Sequence, residues 1–112
     1  MIAGITSALS GLQANQLAFD ATADNLANLD TPGYQALRVN QNAAPDGGVS
    51  TSLSADPTPV LATSADGDTI QLSNVDPVTE AVNSIAARAG YTANLKSIEA
   101  GNEMLKKTYQ LL

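Results

Sequence analysis

Thr31-Pro32-Gly33-Tyr34 is a compulsory break in a chain whose preceding residues are patterned as a helix. Pro32 disfavours helical geometry at Thr31 and has no backbone N–H to donate. Gly33 supplies the positive φ required at the third position of a type II turn, with Pro32 preset for the second. The next helical signal is its mirror image, Asp76-Pro77. There Asp76 suits an N-cap, Pro77 the first helical position, and Glu80 complements the positive helix end. These two signals divide the chain into an N-terminal helix with its turn (1–34), a short insert (35–75) and a C-terminal helix (76–112), read together as one structural unit.

In the first segment Ile2, Ile5, Leu9, Leu12, Gln16, Phe19, Ala23 and Leu26 recur at alternating spacings of three and four. That period places them on one seam of a helix roughly 40 Å long, as in a coiled coil. Ser7, Ser10, Asn15, Asp20 and Asp24 fall on the opposite face. Gly4 and Gly11 each cost about 1 kcal/mol relative to alanine in a helix interior. In the second helix, of roughly 50 Å, the seam runs Val78, Val82, Ile85, Ala89, then Tyr91, Leu95, Ile98, Asn102, Leu105, Tyr109 and Leu112. The spacing slips at Ala89–Tyr91 beside Gly90, which predicts a local kink or overwinding. Gln16 and Asn102 are polar seam residues of the kind that fix register.

Between the helices, Pro45, Pro57, Pro59, Gly47, Gly48 and Gly67 punctuate the chain. Short strands fit 35–39, 49–53, 59–62 and 69–72, with Asp66-Gly67-Asp68 as a tight turn. A small sheet and a flexible loop remain equal alternatives. The expected fold is therefore mainly α: long terminal helices packed as an antiparallel hairpin or coiled coil around a short irregular or small-β insert.

Composition narrows the function. Of the 112 residues 44% are hydrophobic, much of that alanine, and only 4% are aromatic, so large core-forming side chains are scarce. Such a chain is expected to complete its core against other copies or partners. It has no cysteine and no histidine, which excludes disulfides, thiolate metal sites and the commonest general base. The net charge is −6, and no Lys or Arg occurs between Val39 and Ala87. An acidic chain without a basic stripe is a poor nucleic-acid or anionic-membrane binder. The N-terminus lacks a basic region and an unbroken apolar core, so no cleaved secretory signal is expected. No apolar run approaches the roughly 20 residues of a membrane span.

Asp66-Gly67-Asp68 lacks the ligand spacing of a calcium loop. Asp20 with Asp24, and Glu99 with Glu103, lie four apart as solvated pairs without the pocket that catalytic carboxylates need. No catalytic residue, cofactor site or metal site is expected, and the chain is read as no enzyme.

One longer constellation is specific. Asn25-Leu26-Ala27-Asn28-Leu29-Asp30-Thr31-Pro32-Gly33-Tyr34 is followed by Ser73-Asn74-Val75-Asp76-Pro77-Val78, then by Tyr91, Ala93-Asn94 and Glu103-Met104-Leu105. This set resembles the bacterial flagellar rod, hook and hook–filament junction proteins, most of all the short proximal-rod proteins of the basal body. Asp30 stands where the family usually has asparagine, and Arg88-Ala89-Gly90-Tyr91 replaces an Arg-Ala-Tyr run. The resemblance implies a non-enzymatic structural subunit whose terminal helices pack, N against C, into a tubular wall around an export channel. It further implies passage, unfolded and without a cleaved signal, through the flagellar type III apparatus to the periplasm-spanning rod. The implied partners are other rod-type subunits, copies of the chain itself and the export apparatus.

Carried over by position, Asn25, Asn28, Thr31, Pro32, Gly33 and Tyr34 form the turn, and Asn74, Asp76 and Pro77 open the returning helix. Tyr91 and Asn94 fall on its packing face. The residues expected to carry assembly are Ile5, Leu9, Leu12, Phe19, Leu26, Val82, Ile85, Tyr91, Leu95, Ile98, Leu105, Tyr109 and Leu112. The rival expectation is a small acidic helical-hairpin adaptor or chaperone-like module, related to rod proteins but not incorporated into the rod.

Overall fold

The structure, a computed structural model, describes residues 2–112. Helix α1 spans Ile2–Ala27 and helix α2 spans Pro77–Leu111. Between them lie β1 (Leu37–Ala43), β2 (Val49–Ala55), β3 (Val60–Thr63) and β4 (Thr69–Leu72). They form two separate antiparallel hairpins, with Leu37 opposite Ala55 in the first and Val60 opposite Leu72 in the second.

The expected simple helical hairpin with a short irregular or small-β insert is thus corrected. The middle of the chain is rich in strand, with strands of 7, 7, 4 and 4 residues. Sequence pattern under-reports these strands because neither hairpin buries an apolar face. Asn40, Gln41, Asn42, Ser50 and Ser52 carry no hydrophobic alternation, and β4 is exposed throughout. Backbone pairing and fixed ends hold them instead.

The first hairpin is a strap along α1. At its root the Asn25 side chain bonds Leu37. At its tip the Val49 N–H donates to Ser10 Oγ at 3.0 Å. A Cβ on Gly48 (φ +90°) would collide with Ser10, so that close approach requires glycine. The second hairpin packs against neither helix. It hangs from the Thr31–Tyr34 turn, where the Gly33 N–H donates to the Gln71 carbonyl at 3.0 Å. The result is a thin molecule of 78 × 25 × 14 Å.

The helices pack antiparallel, but not through their large apolar residues. On α1 the buried seam is Ala8, Gly11, Ala14, Ala21, Thr22 and Asn25. On α2, Glu80, Ala87 and Gly101 are buried, with Ser84, Tyr91, Asn94 and Ile98 half-buried between them and Leu105 half-buried beyond. The α2 series 80, 84, 87, 91, 94, 98, 101, 105 is an unbroken alternation of four and three. By contrast Val78, Val82, Ile85 and Ala89 lie about 180° round the helix from Ala87 and are exposed. The slip at Ala89–Tyr91 marks the point where the apolar pattern crosses from the outer face to the seam. Helix α2 stays α-helical straight through Gly90.

At the middle of the seam the two helices exchange the same device. Asn15 donates back to the Gly11 carbonyl at 2.7 Å, and Asn94 to the Gly90 carbonyl at 3.0 Å. Each asparagine sits over the other helix's glycine: a Cβ on Gly11 would lie 2.8 Å from Asn94, and one on Gly90 would lie 2.5 Å from Asn15. Asn15, expected on the outer face, is a seam residue. Glycine here is not a weak point but the hole that receives a knob.

Two opposite outcomes follow for glycine-to-alanine changes. Gly4→Ala has open space around the added methyl and should stabilise by up to about 1 kcal/mol. Gly90→Ala must displace Asn15 and should destabilise by about 1–3 kcal/mol. Urea denaturation of the two variants, compared by midpoint, checks the difference in sign.

Candidate assembly surface

The helix ends and the strap meet in a knot built on two asparagines. Asn25, almost wholly buried, accepts the Leu37 N–H at 2.7 Å and donates to the Leu37 carbonyl at 2.9 Å. Its amide thereby acts as a strand partner for one residue. The same Asn25 oxygen accepts the Tyr34 hydroxyl at 3.3 Å. Burial, then Asp24 and Glu80, push the Tyr34 phenol pKa up, keeping that donor protonated. Asn74 accepts the N–H of fully buried Ala36 at 2.6 Å, and donates to the Asp56 and Thr58 carbonyls at 2.9 Å each. Residues 34–37 are therefore clamped between a side chain from the end of α1 and one from just before α2.

The turn itself is local. Asn28 donates to the Asp24 carbonyl and accepts the Thr31 hydroxyl, and the Tyr34 N–H closes onto the Thr31 carbonyl across Pro32 and Gly33 (φ +72°). Asp76 accepts from the Val78 and Thr79 N–H groups at 3.2 and 3.3 Å and from the Thr79 hydroxyl. The Thr79 hydroxyl, then the Val78 N–H, hold the Asp76 carboxyl below the usual carboxylate range. Pro77 follows at the first helical position.

An ion pair joins the strap to α2. Arg38 of β1 donates to Glu80 at 2.7 Å and stands 3.9 Å from Asp56. Glu80 is buried, so removing Arg38 would strand a charge in the interior. Sequence reading assigned Glu80 only to the helix dipole and missed Arg38 and Asp56, because 42 residues separate the main partners. The glycine–asparagine pairs were also missed, although Gly11…Asn15 and Gly90…Asn94 repeat one spacing in both helices.

The large apolar side chains are left outside. Leu9, Phe19 and Leu26 of α1 are 43–47% exposed, and Val82, Ile85 and Tyr109 of α2 are 61–76% exposed. Leu95 and Leu112 are exposed as well. Ile5, Leu12, Tyr91, Ile98 and Leu105 are half-buried, flanking or filling the seam, and Asn94 stands on it. Among the described residues the buried apolar set is alanines and Val75. Among the described residues no helix is long and apolar enough to cross a membrane.

Two measurements probe the knot. Asn25→Ala leaves the Leu37 N–H and carbonyl without their partners and should destabilise by about 2–4 kcal/mol, read by thermal unfolding. Asp76 contributes stability above the usual aspartate pKa of about 4, and that contribution is lost as pH falls through its lower folded value. Asp76→Asn, which keeps a capping oxygen, should remove this part of the acid sensitivity in stability measured from pH 6 downward.

The two ends of the chain have known counterparts. Residues 5–35 match the family model described as Flagella basal body rod protein. Residues 69–111 match the one described as Flagellar basal body rod FlgEFG protein C-terminal. No curated protein matches the chain. The first match covers most of α1 and the turn that Asn25 and Tyr34 secure; the second runs from β4 through the whole of α2. On both of its helices and the turn between α1 and the strap, the chain belongs to the flagellar basal-body rod protein family, and it is a structural component of the bacterial flagellar rod.

Proposed function

We propose that this chain takes its place in the rod by self-assembly, packing its terminal helices against copies of itself and other rod-type subunits. It reaches the rod unfolded, through the flagellar export apparatus, and catalyses no reaction. One observation carries this reading: α1 and α2 spend their small residues on each other and keep their large ones outside. A buried methyl contributes about 0.8 kcal/mol, against about 1.5–3 for a fully buried Leu, Ile, Val or Phe. The helical pair therefore has more to gain per residue from neighbours than it gained from its own seam. The same thin alanine seam, with no disulfide, suits a chain that must unfold to travel.

Residues 1–34 and 76–112 supply the assembly elements in this reading, and 35–75 braces them as one unit. Leu9, Phe19, Leu26, Val82, Ile85, Leu95, Tyr109 and Leu112 make the contacts between subunits. Ile5, Leu12, Tyr91, Ile98 and Leu105 support them from the seam.

Deleting residues 105–112 tests the reading. Of that segment only Leu105 is half-buried, and Gly101 already packs on Ile5 near the start of α1. The truncated chain should stay soluble and helical by circular dichroism yet be lost from purified basal bodies, with loss of motility. Normal incorporation would overturn the proposal. A full-length chain that never co-purifies with basal bodies would favour the small acidic adaptor instead.

A further inference from the structure

Resting on that assembly reading, we infer that the groove between α1 and α2 is the dock for the C-terminal turns of α2 from a second copy. Gln16 and Phe19 wall it on one side, and Ser84, Ala87, Arg88 and Tyr91 on the other. It encloses about 530 Å³. The strap does not line it; β1 instead lines a separate cleft with Leu37, Arg38, Val39 and Gln41. Phe19 is 47% exposed in this groove and Tyr91 half-buried.

The occupant follows from the other end of the molecule. Beyond the contact of Gly101 with Ile5, α2 continues with Leu105, Tyr109 and Leu112 on one face. Tyr109 is 76% and Leu112 97% exposed. That spacing of four and three is what a helix needs to seat side chains in a groove. The segment cannot reach its own groove: Tyr91 and Tyr109 lie on one continuous helix, about 27 Å apart along its axis. A second molecule must supply it.

Charge agrees and sets the orientation. Asp20 lies beside Phe19, one turn on from Gln16, which donates to it at 3.2 Å. Among the described residues no cation lies within ion-pair distance of Asp20, and no acid within that distance of Lys106. Lys106 flanks the Leu105–Tyr109 face on one side, with uncharged Thr108 on the other. Seating Lys106 against Asp20 turns the uncharged flank toward Arg88. Because groove and tail are different patches, the contact is head-to-tail, and repetition gives an open chain rather than a closed dimer.

The absence of cysteine makes this directly testable. Gln16→Cys is combined in turn with Asn102→Cys or Gln110→Cys, one helical turn to either side of Lys106, in the full-length chain. Within one molecule position 16 lies across the groove from Ser84–Tyr91 and next to Asn15, which packs on Gly90, too far from either partner for a disulfide, so any bond is between copies. Oxidation of assembled protein should give a ladder of linked copies from one of the two pairs. In that pair Asp20→Lys or Lys106→Asp should each lower the linked yield about fivefold at matched concentration, the equivalent of a lost ion pair. Combining the two reversals should restore it. Assembled protein that links through neither pair, or a double reversal that fails to restore the yield, overturns this docking while leaving self-assembly standing. Wild-type protein that never assembles overturns both.

Discussion

The reciprocal placement of Asn15 over Gly90 and Asn94 over Gly11 sets the separation and register of the two helices, and most of the architecture follows from it. A missing side chain on each helix lets the other approach. Each asparagine amide, bonded to the glycine carbonyl four residues before it, stays satisfied in a half-buried position. Helices brought this close by glycine and alanine fully bury only small side chains along the seam, and most of their large apolar residues lie at its margins or outside it. Leu9, Phe19, Leu26, Val82, Ile85 and Tyr109 accordingly face outward. A weak internal seam and a strong external surface are two consequences of one packing choice.

The same register aligns the helix ends for the knot above them. With Gly90 opposite Asn15, the end of α1 lies beside the start of α2, so that Asn25 and Asn74 can reach the same short extended segment. That segment then leads into β1, whose Arg38 returns to Glu80. Few apolar contacts secure this end of the molecule. Directional polar bonds do, which fixes a geometry that alanines alone would leave loose.

For a structural rod component this division is economical. The strap pins one side of the helix pair through Ser10 and Asn25, leaving the opposite groove and the outer stripes open. The second hairpin, touching neither helix, neither adds to the pair nor blocks it.

Much of this is legible in the chain's local chemistry alone. Pro32 and Gly33 dictated where α1 stops, and Asp76 and Pro77 where α2 starts, because those residues restrict their own backbone whatever surrounds them. The family followed from these local signals with the residues beside them. Which face turns inward was legible only for the C-terminal half of α2, where Tyr91, Asn94, Ile98 and Leu105 stand on the seam, and not for α1 or the start of α2. Hydrophobic periodicity assumes that the largest apolar residues are buried, whereas close approach here favoured glycine, alanine and asparagine. Nor could the sequence reveal Arg38 paired with Glu80, or decide between paired strands and a flexible loop at the four stretches it marked, because their serine, threonine and asparagine bury no apolar face. Local chain stiffness is written residue by residue; the choice of partner for each surface is a comparison among packings, and only the tertiary structure decides it.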